Sequence, residues 1–387
     1  MDIMLQIESP LVSVDWLHEH IEAENLIVLD ATISKVTDSN LGIDFGYIPK
    51  SQFFDIKMKF SDTSGKFPNT LPSIEQFQRE TQKLDIDNNS AIVVYDLHGI
   101  YSSARAWWLF KYFGHNNVAV LDGGLPEWFN KGFNTVSNYE TSQSQGNFIA
   151  KLKTSLITNF TGVKSFSSSN VALVFDARSR KRFSGETPEP RKGLRSGTLP
   201  NSVNLPYTEL LDSTTLKSKE QLKQIFNNLI NHQETLVFSC GTGITACNLA
   251  LGATIAGYED LVVYDGSWTE YGTLTRNTME VPNWTKNEFM AYILLYAAHS
   301  DFKEDNHERN VIISKVDMQT FQKIHDEFSG DNDYQCIQKI LASVERHNYS
   351  PENIDEILAD IKGLFFADGD FDIKEHSMLL FLKRILK

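Results

Sequence analysis

The sequence of 387 residues is poor in cysteine, with thiols only at Cys240, Cys247 and Cys336. Three cysteines are too few for the disulfide framework of a small secreted domain, and no CxxC pair offers the usual spacing of a zinc site. This scarcity predicts a reducing compartment, in which a functional thiol stays available for chemistry.

Positive charge and long apolar runs are also scarce. The chain carries 50 acidic and 36 basic side chains, a net charge of −14. The sequence also shows no local stripe of basic residues that would bind nucleic acid. This balance argues against a dedicated nucleic-acid partner. The first residues lack the basic and apolar regions of a signal peptide, and no segment approaches the length of a membrane span. We expect a cytoplasmic protein with no membrane partner.

Material for folded cores is plentiful, because 41% of the residues are hydrophobic and 44 are aromatic (25 Phe, 13 Tyr and 6 Trp). A chain of this length is expected to form two or three domains. Short apolar runs alternate with helical periodicity over about the first 280 residues. This alternation predicts α/β domains with largely parallel sheets.

The order of sequence landmarks in the first 137 residues is repeated in the segment that follows. Four pairs of segments correspond: residues 28–31 with 174–177, 48–51 with 199–202, 93–96 with 237–240, and 121–124 with 264–268. The interval from Asp96 to Asp122 is 26 residues, and that from Cys240 to Asp265 is 25. The repeat predicts two tandem copies of one domain, joined by the polar stretch 138–145, with Asp96 in the place of Cys240.

Cys240 lies where a predicted strand, residues 236–239, meets a predicted helix that ends before Gly257. The loop between them contains Gly241, Thr242, Gly243, Ile244, Thr245 and Ala246. Its glycines let the backbone curl so that successive N–H groups point at the sulfur, as in an anion-binding nest. These amides and the helix dipole favour a thiolate, which predicts a nucleophile at Cys240. Cys247 and Cys336 fit a buried structural role instead.

The loop and the duplicated unit, together with residues 176–179, 182–183 and 188–191, closely resemble the tandem-domain rhodanese-type sulfurtransferases over roughly residues 10 to 280. The resemblance implies that Cys240 takes a sulfane sulfur as a persulfide and passes it to a thiol, thioredoxin-like or cyanide-type acceptor. It also implies that Arg182 and Arg191 bind a small anionic donor, that the amides of residues 241–246 hold the sulfur, and that no cofactor is required.

The loop is similar to that of the 3-mercaptopyruvate branch, since thiosulfate-preferring members carry basic residues where this chain has Gly241 and Thr242. Two positions depart from that branch, because the aspartate and histidine of its proton relay correspond to Lys57 and Asn69 here. The donor therefore stays open between 3-mercaptopyruvate and thiosulfate.

From about residue 285 the pattern becomes continuously helical, and residues 285–387 carry 19 acidic against 12 basic side chains. This module resembles TerB-like helical domains, and the resemblance implies a divalent metal at acidic turns. The candidate ligands are Asp301, Glu308, Asp368, Asp370 and Glu375. Solvated carboxylates at helix N-termini are an equally good explanation of these residues.

The predicted organisation is two tandem rhodanese-like parallel-sheet domains at residues 1–140 and 153–283, followed by an acidic all-helical domain at residues 285–387. Two other functions fit parts of this pattern. A cysteine phosphatase also cradles an anion above such a loop, but it needs an arginine at the far end, where Thr245, Ala246 and Cys247 supply none. A catalytically silent scaffold serving the helical domain is favoured by Lys57 and Asn69 and opposed by the cysteine and the donor arginines.

Overall fold

The computed structural model describes residues 4–35, 46–142, 144–169, 171–191, 193–275, 282–299, 306–331, 333–366 and 373–386. The chain forms two compact units, Met1–Leu274 and Thr275–Lys387. Within the described residues, the first unit contains two five-stranded sheets and the second is helical.

The first domain of unit one alternates strands and helices along the chain. Its elements are β1 (Leu11–Val12), α1 (Val14–His20), β2 (Leu26–Asp30), β3 (Ser51–Phe53), α2 (Ile74–Gln82), β4 (Ala91–Tyr95), α3 (Ser103–Tyr112), β5 (Val118–Leu121) and α4 (Gly124–Asn130). The strand order in the sheet is β1-β5-β4-β2-β3, and every pair is parallel.

The second domain repeats this plan. Its elements are β6 (Ile157–Thr158), α5 (Phe160–Ser167), β7 (Ala172–Asp176), α6 (Arg180–Phe183), β8 (Ser202–Asn204), β9 (Leu211–Asp212), β10 (Thr215–Leu216), α7 (Lys219–Asn227), β11 (Thr235–Ser239), α8 (Ala246–Ala256), β12 (Leu261–Tyr264) and α9 (Ser267–Leu274). The main sheet has the order β6-β12-β11-β7-β8, again all parallel, while β9 and β10 form a small antiparallel pair. The matching strand orders confirm the predicted duplication.

β4 and the segment 236–238 of β11 are buried apolar runs at the centres of their sheets, as expected of parallel strands covered by helices on both faces. The parallel register pairs Ser239 at the end of β11 with Asp176 at the end of β7. Since the carboxyl ends of parallel strands share one edge, Cys240 emerges there with Asp176 and Asp265 nearby in the fold. The sheet therefore places the predicted nucleophile at the edge where α/β proteins commonly bind ligands.

The loop after β4 shows what this turn does in the first domain, where Asp96 replaces the cysteine. Oδ2 of Asp96 accepts hydrogen bonds from the N–H groups of Tyr101, Ser102 and Ser103 at 2.8, 2.9 and 2.9 Å. Oδ1 accepts from the N–H of His98 at 2.8 Å, and the carboxylate is fully buried. The turn is thus a nest of main-chain donors that holds an anion of its own chain.

The polar stretch 138–145 was predicted as a linker, but its described residues are tied to the first domain. The hydroxyl of Tyr139 donates to Asp30 at 2.9 Å, and that of Ser144 donates to Asp85 at 2.5 Å. Phe148 then enters the hydrophobic core with 2% of its surface exposed. The polar composition reflects a surface segment held by hydrogen bonds rather than a free connection.

The two domains share one hydrophobic core and a reciprocal pair of hydrogen bonds. Helix α3 of the first domain packs on α8 of the second, and one apolar cluster runs through both domains. Asp122, which follows β5, accepts from the N–H of Leu216 at 2.9 Å. Asp265, which follows β12, accepts from the N–H of Leu71 at 2.8 Å. The duplicated aspartates therefore fasten each domain to the other.

Unit two is a helical bundle around one buried helix. Its described helices are α10 (Lys286–Ala298), α11 (Asn306–Val316), α12 (Met318–Ser329), α13 (Asp333–His347), α14 (Pro351–Phe365) and α15 (Ile373–Leu386). Helix α10 packs against the other five, which explains its continuous apolar sequence. No helix in the described ranges has both the length and the apolar character that crossing a membrane requires.

Replacing the buried carboxylate of the first-domain nest tests this description of the fold. Asp96→Ala leaves the N–H groups of Tyr101, Ser102 and Ser103 buried without their acceptor, so we expect the free energy of unfolding to fall by about 3–5 kcal/mol. Urea denaturation followed by tryptophan fluorescence measures it. Glu24→Ala removes an exposed carboxylate of the same domain and serves as the control. Equal stability of the two variants would contradict the nest.

Candidate active site

Cys240 sits directly after β11, and 2% of its surface is exposed. Its N–H donates to Oγ of Ser267 at 3.1 Å, and its carbonyl accepts from the N–H of Trp268 at 3.0 Å. The Ser267 hydroxyl donates to the carbonyl of Tyr264 at 2.9 Å, and its Oγ lies 3.9 Å from Sγ of Cys240. The start of α9 therefore fixes the backbone on which the sulfur is carried.

The N–H groups of residues 241–245 have no acceptor within hydrogen-bonding distance among the described residues, and this includes Sγ of Cys240. In the turn of the first domain, the N–H groups of residues 98 and 101–103 donate hydrogen bonds to the carboxylate of Asp96. The second domain thus keeps the turn but offers its donors no internal anion. The predicted role of these amides in holding sulfur at Cys240 stays a prediction.

Gly243 is required where it stands. Its φ of 77° lies in the left-handed region, and a Cβ atom there would meet the carbonyl oxygen of Asp265 at 2.6 Å. A Cβ on Gly241 would instead approach Nη2 of Arg182 at 3.1 Å. A Cβ at Gly243 would contact backbone, which cannot easily move, whereas a Cβ at Gly241 would contact the end of a side chain. The conformation of the loop therefore requires glycine more strictly at position 243.

The two predicted donor arginines lie around this loop. Arg182 is bound to Glu189, with 2.5 Å between Nη2 and Oε2, and 22% of its side chain is exposed. Arg191 is half-buried. Burial, and then the nearby guanidinium of Arg182, lower the pKa of Arg191, whereas Cys240 raises it. Arg191 is therefore within electrostatic reach of the cysteine and of Arg182.

Glu189 also anchors a buried arginine behind the loop. Arg178 pairs with Asp176 at 2.6 Å and with Glu189 at 2.8 Å, and all three side chains are buried. The guanidinium carbons of Arg178 and Arg195 lie 4.8 and 4.4 Å from the ring centroid of Trp268. These contacts fix the segment that carries Arg182 and Arg191, because Glu189 bridges Arg178 to Arg182.

The first domain reaches the cysteine loop through Asn69 and Arg105. Nδ2 of Asn69 donates to the hydroxyl of Thr242 at 3.1 Å. Arg105 is fully buried on α3 and pairs with Asp265 at 2.6 Å, while its Nη1 donates to the carbonyl of Gly243 at 3.4 Å. Although burial opposes the charge, Asp265 holds the pKa of Arg105 above its ordinary value.

Sequence reasoning missed Arg105, Asp265 and Ser267 as parts of this site. The sequence feature that could have indicated Arg105 is its position in the otherwise apolar helix sequence 104–110. A buried arginine needs a partner such as a carboxylate. The partner itself lies 160 positions away along the chain. The missing information was therefore the pairing and not the residue type.

A cavity of about 560 Å³ opens between the two domains in front of the loop. Thr242 and Ile244 of the loop and Arg191 line one part of it, and Lys57 and Asn69 of the first domain line another. The structure thus brings together the loop, one donor arginine and both positions that depart from the 3-mercaptopyruvate branch. Arg182 stands next to Gly241 and is not part of this lining.

The other two cysteines are buried free thiols, as predicted. Burial raises the pKa of Cys247 to about 12, and its thiol donates to the carbonyl of Gly243 at 3.3 Å. Cys336 lies in the helical unit beside the hydroxyl of Tyr292, at 3.3 Å. A thiol that stays protonated near neutral pH is a poor nucleophile, which argues against a catalytic role for Cys247.

Of the five acidic candidates for a metal site, Asp301, Asp368 and Asp370 lie outside the described residues. Glu308 and Glu375 stand in the first turns of α11 and α15, where a carboxylate complements the helix dipole. Among the described residues, no three His, Cys, Asp or Glu side chains are grouped as a metal site would need.

Comparison with known proteins accounts for the duplicated sheets and the cysteine loop together. A family model described as the Rhodanese-like domain matches residues 13–131 and again residues 163–273. The chain belongs to the rhodanese family of sulfurtransferases. One rhodanese relative, thiosulfate/3-mercaptopyruvate sulfurtransferase 1, mitochondrial, of Arabidopsis thaliana, is 38% identical over 68% of this chain and 76% of its own. The 3-mercaptopyruvate sulfurtransferase of Homo sapiens is 35% identical over 67% of this chain and 91% of its own.

The solved structures give the same result for the rhodanese fold. The 3-mercaptopyruvate sulfotransferase SseA of Escherichia coli matches with a TM-score of 0.60 and 31% sequence identity, covering 67% of this chain and 99% of that protein. The predicted pair of rhodanese-like domains is therefore confirmed. The two ranges matched by the family model end at residue 273, ahead of the helical unit.

The ion pair that joins the first rhodanese domain to the loop has a measurable coupling. Arg105→Met leaves Asp265 buried without its cation, and we expect a loss of about 3–5 kcal/mol in the free energy of unfolding. Asp265→Asn added to Arg105→Met is expected to cost much less than the sum of the two single changes. Denaturant unfolding of the two single variants and the double variant measures the coupling. Strict additivity would show that the pair contributes nothing specific.

Proposed function

We propose that this rhodanese protein transfers sulfane sulfur through a persulfide on Cys240. The observation that carries the proposal is the turn at residues 241–245, whose N–H groups have no acceptor in the described structure beside the buried cysteine. The same turn in the first domain holds the carboxylate of Asp96, which supports its capacity for an anion. The relatives named above are thiosulfate or 3-mercaptopyruvate sulfurtransferases.

The transfer proceeds in two displacements. The thiolate of Cys240 attacks the sulfane sulfur of the donor, a new S–S bond forms, and the donor's own bond to that sulfur breaks with its electron pair leaving on the departing group. An acceptor thiolate or cyanide then attacks the outer sulfur, and Cys240 departs as the thiolate. Each half-reaction is complete before the next begins, so the kinetics are ping-pong.

The turn at residues 241–245 suits the outer sulfur of the persulfide better than Sγ itself. An S–S bond extends the chain by about 2.05 Å beyond Sγ. The N–H groups of residues 241–245 make no hydrogen bond to Sγ among the described residues, and we infer that the anion they hold is the outer sulfur of the persulfide. Donors that are already oriented stabilise the charge without reorganisation, which favours transfer to the enzyme.

Arg182 and Arg191 bind the anionic part of the donor. Arg182 is held in place by Glu189, whereas Arg191 lines the cavity and lies within electrostatic reach of the cysteine. A guanidinium stays charged when half-buried and binds carboxylate or sulfonate oxygens through two parallel hydrogen bonds. The pair therefore directs the sulfane end of the donor toward Cys240.

We propose a thiol, a thioredoxin-like protein or cyanide as the acceptor, and a reducing cytoplasmic setting that suits three free cysteines. The TerB-like identity of the helical unit is likewise a proposal. The two candidate metal ligands that lie within the described ranges, Glu308 and Glu375, are explained by helix N-termini. No catalytic step is assigned to a metal, and calorimetric titration of the full chain with Ca²⁺, Mg²⁺ and Zn²⁺ tests for binding in that unit.

The persulfide itself is open to direct detection. Incubation with 3-mercaptopyruvate or thiosulfate is expected to add the mass of one sulfur atom to the peptide that contains Cys240. Cys240→Ser removes the nucleophile, and we expect sulfur transfer to fall roughly 10³-fold or more. Cys336→Ala, a buried thiol of the helical unit, is the matched control and should retain transfer. Absence of the added sulfur with both donors would favour the silent scaffold.

The role assigned to Arg191 has its own control within the same basic segment. Arg191→Ala removes a charged partner of the donor, so we expect the KM for the donor to rise about tenfold to a hundredfold. Arg180→Ala removes a neighbouring cation whose side chain is 69% exposed and which pairs with Glu209. Steady-state kinetics compare the two variants. Unchanged donor kinetics in Arg191→Ala would remove this residue from the site.

A further inference from the structure

The cavity in front of the cysteine loop carries an excess of positive charge, and most of it comes from the first domain. Lys57 and Lys66 are exposed side chains that line this cavity, and Arg191 adds a third cation from the second domain. Among the described residues that line the cavity, Asp62 supplies the one carboxylate. The whole protein has a net charge of −14, so this local field is opposite in sign to the average surface.

Within the part of the chain that the structure describes, this lining offers no side chain suited to accept a proton near neutral pH. Oδ1 of Asp62 accepts from the N–H and the hydroxyl of Ser64 at 2.8 and 2.6 Å and from the N–H of Gly65 at 3.1 Å. The Ser64 hydroxyl and these amides hold the pKa of Asp62 below its ordinary value. Asn69 donates its amide to Thr242 and has no basic atom. The described residues of the lining therefore supply cations and hydrogen-bond donors and include no general base.

Mercapto acids and thiosulfate-type donors differ in whether sulfur transfer requires a proton to be moved by residues of the cavity lining. With a mercapto acid, the donor sulfur carries a hydrogen, and when the C–S bond breaks that proton has to reach the departing carbon. With a thiosulfate-type donor, the sulfane sulfur carries no proton. The Cys240 thiolate attacks it, the S–S bond of the donor breaks, and sulfite or a sulfinate leaves with the electron pair. The second reaction balances with no proton transfer, so it needs no general base.

We propose that Lys57 and Lys66 are specificity-determining residues that select thiosulfate-type donors, anions whose leaving group departs with its electron pair, over mercapto acids. This inference rests on the proposed function of Cys240. A dianion such as thiosulfate gains more from the lysines than a monoanionic carboxylate does, because electrostatic attraction scales with charge. Because Lys57 and Lys66 belong to the first domain, the domain without the catalytic cysteine contributes directly to donor specificity.

Steady-state kinetics with cyanide as the common acceptor test the selection. We expect kcat/KM for thiosulfate to exceed that for 3-mercaptopyruvate by about tenfold or more. The double variant Lys57→Ala/Lys66→Ala should raise the KM for thiosulfate about tenfold, with a smaller rise for 3-mercaptopyruvate and little change in kcat. Lys59→Ala is the matched control, since Lys59 is an exposed cation of the same segment that does not line the cavity.

Binding without turnover separates attraction of the donor from the chemical step. In a Cys240→Ala background, calorimetry should show about tenfold weaker thiosulfate binding when both lysines are replaced, and added salt should reduce the difference. An equal or greater kcat/KM for 3-mercaptopyruvate, or lysine variants with unchanged KM and Kd, would overturn the inference and leave the role of Cys240 intact. Failure of both donors to place sulfur on Cys240 would instead overturn the proposed function and this inference with it.

Discussion

A turn of main-chain N–H donors between a strand and a helix is the feature on which this molecule depends. Both domains build it in the same way, because both have the same order of parallel strands. In the first domain these N–H groups donate hydrogen bonds to the carboxylate of Asp96, which is fully buried. In the second domain Cys240 takes that place, and the amides of residues 241–245 have no acceptor among the described residues. The exchange of Asp96 for Cys240, together with the different residues that follow each of them, separates a structural turn from a candidate catalytic one.

The first domain supports the cysteine loop of the second domain, although it has no cysteine of its own at the corresponding position. Its Arg105 holds Asp265 and the carbonyl of Gly243, and its Asn69 binds Thr242. The two domains also share one apolar core, so the cysteine loop is supported by groups that the second domain does not contain. The duplicated fold is therefore one site built from two unequal halves, of which one presents the sulfur and the other shapes the approach to it.

Local patterns allowed most of the architecture to be predicted from the sequence. The strand before Cys240, the helix that ends before Gly257 and the repeated order of landmarks all appear in the structure, because each follows from residues close together in the chain. Contacts between distant residues were beyond such patterns. The hydrogen bond from Asn69 to Thr242 spans 173 positions, and nothing in the local sequence of either residue specifies the other. The proposed domain boundaries and the roles of the donor arginines stay predictions.

A crystal structure of the protein after incubation with thiosulfate tests the central claim most directly. We expect a second sulfur bound to Sγ of Cys240, with N–H groups of residues 241–245 directed at it within hydrogen-bonding distance. An outer sulfur that points away from the loop, or a loop whose amides have found acceptors elsewhere in the protein, would contradict the claim that this turn is the anion site of the enzyme.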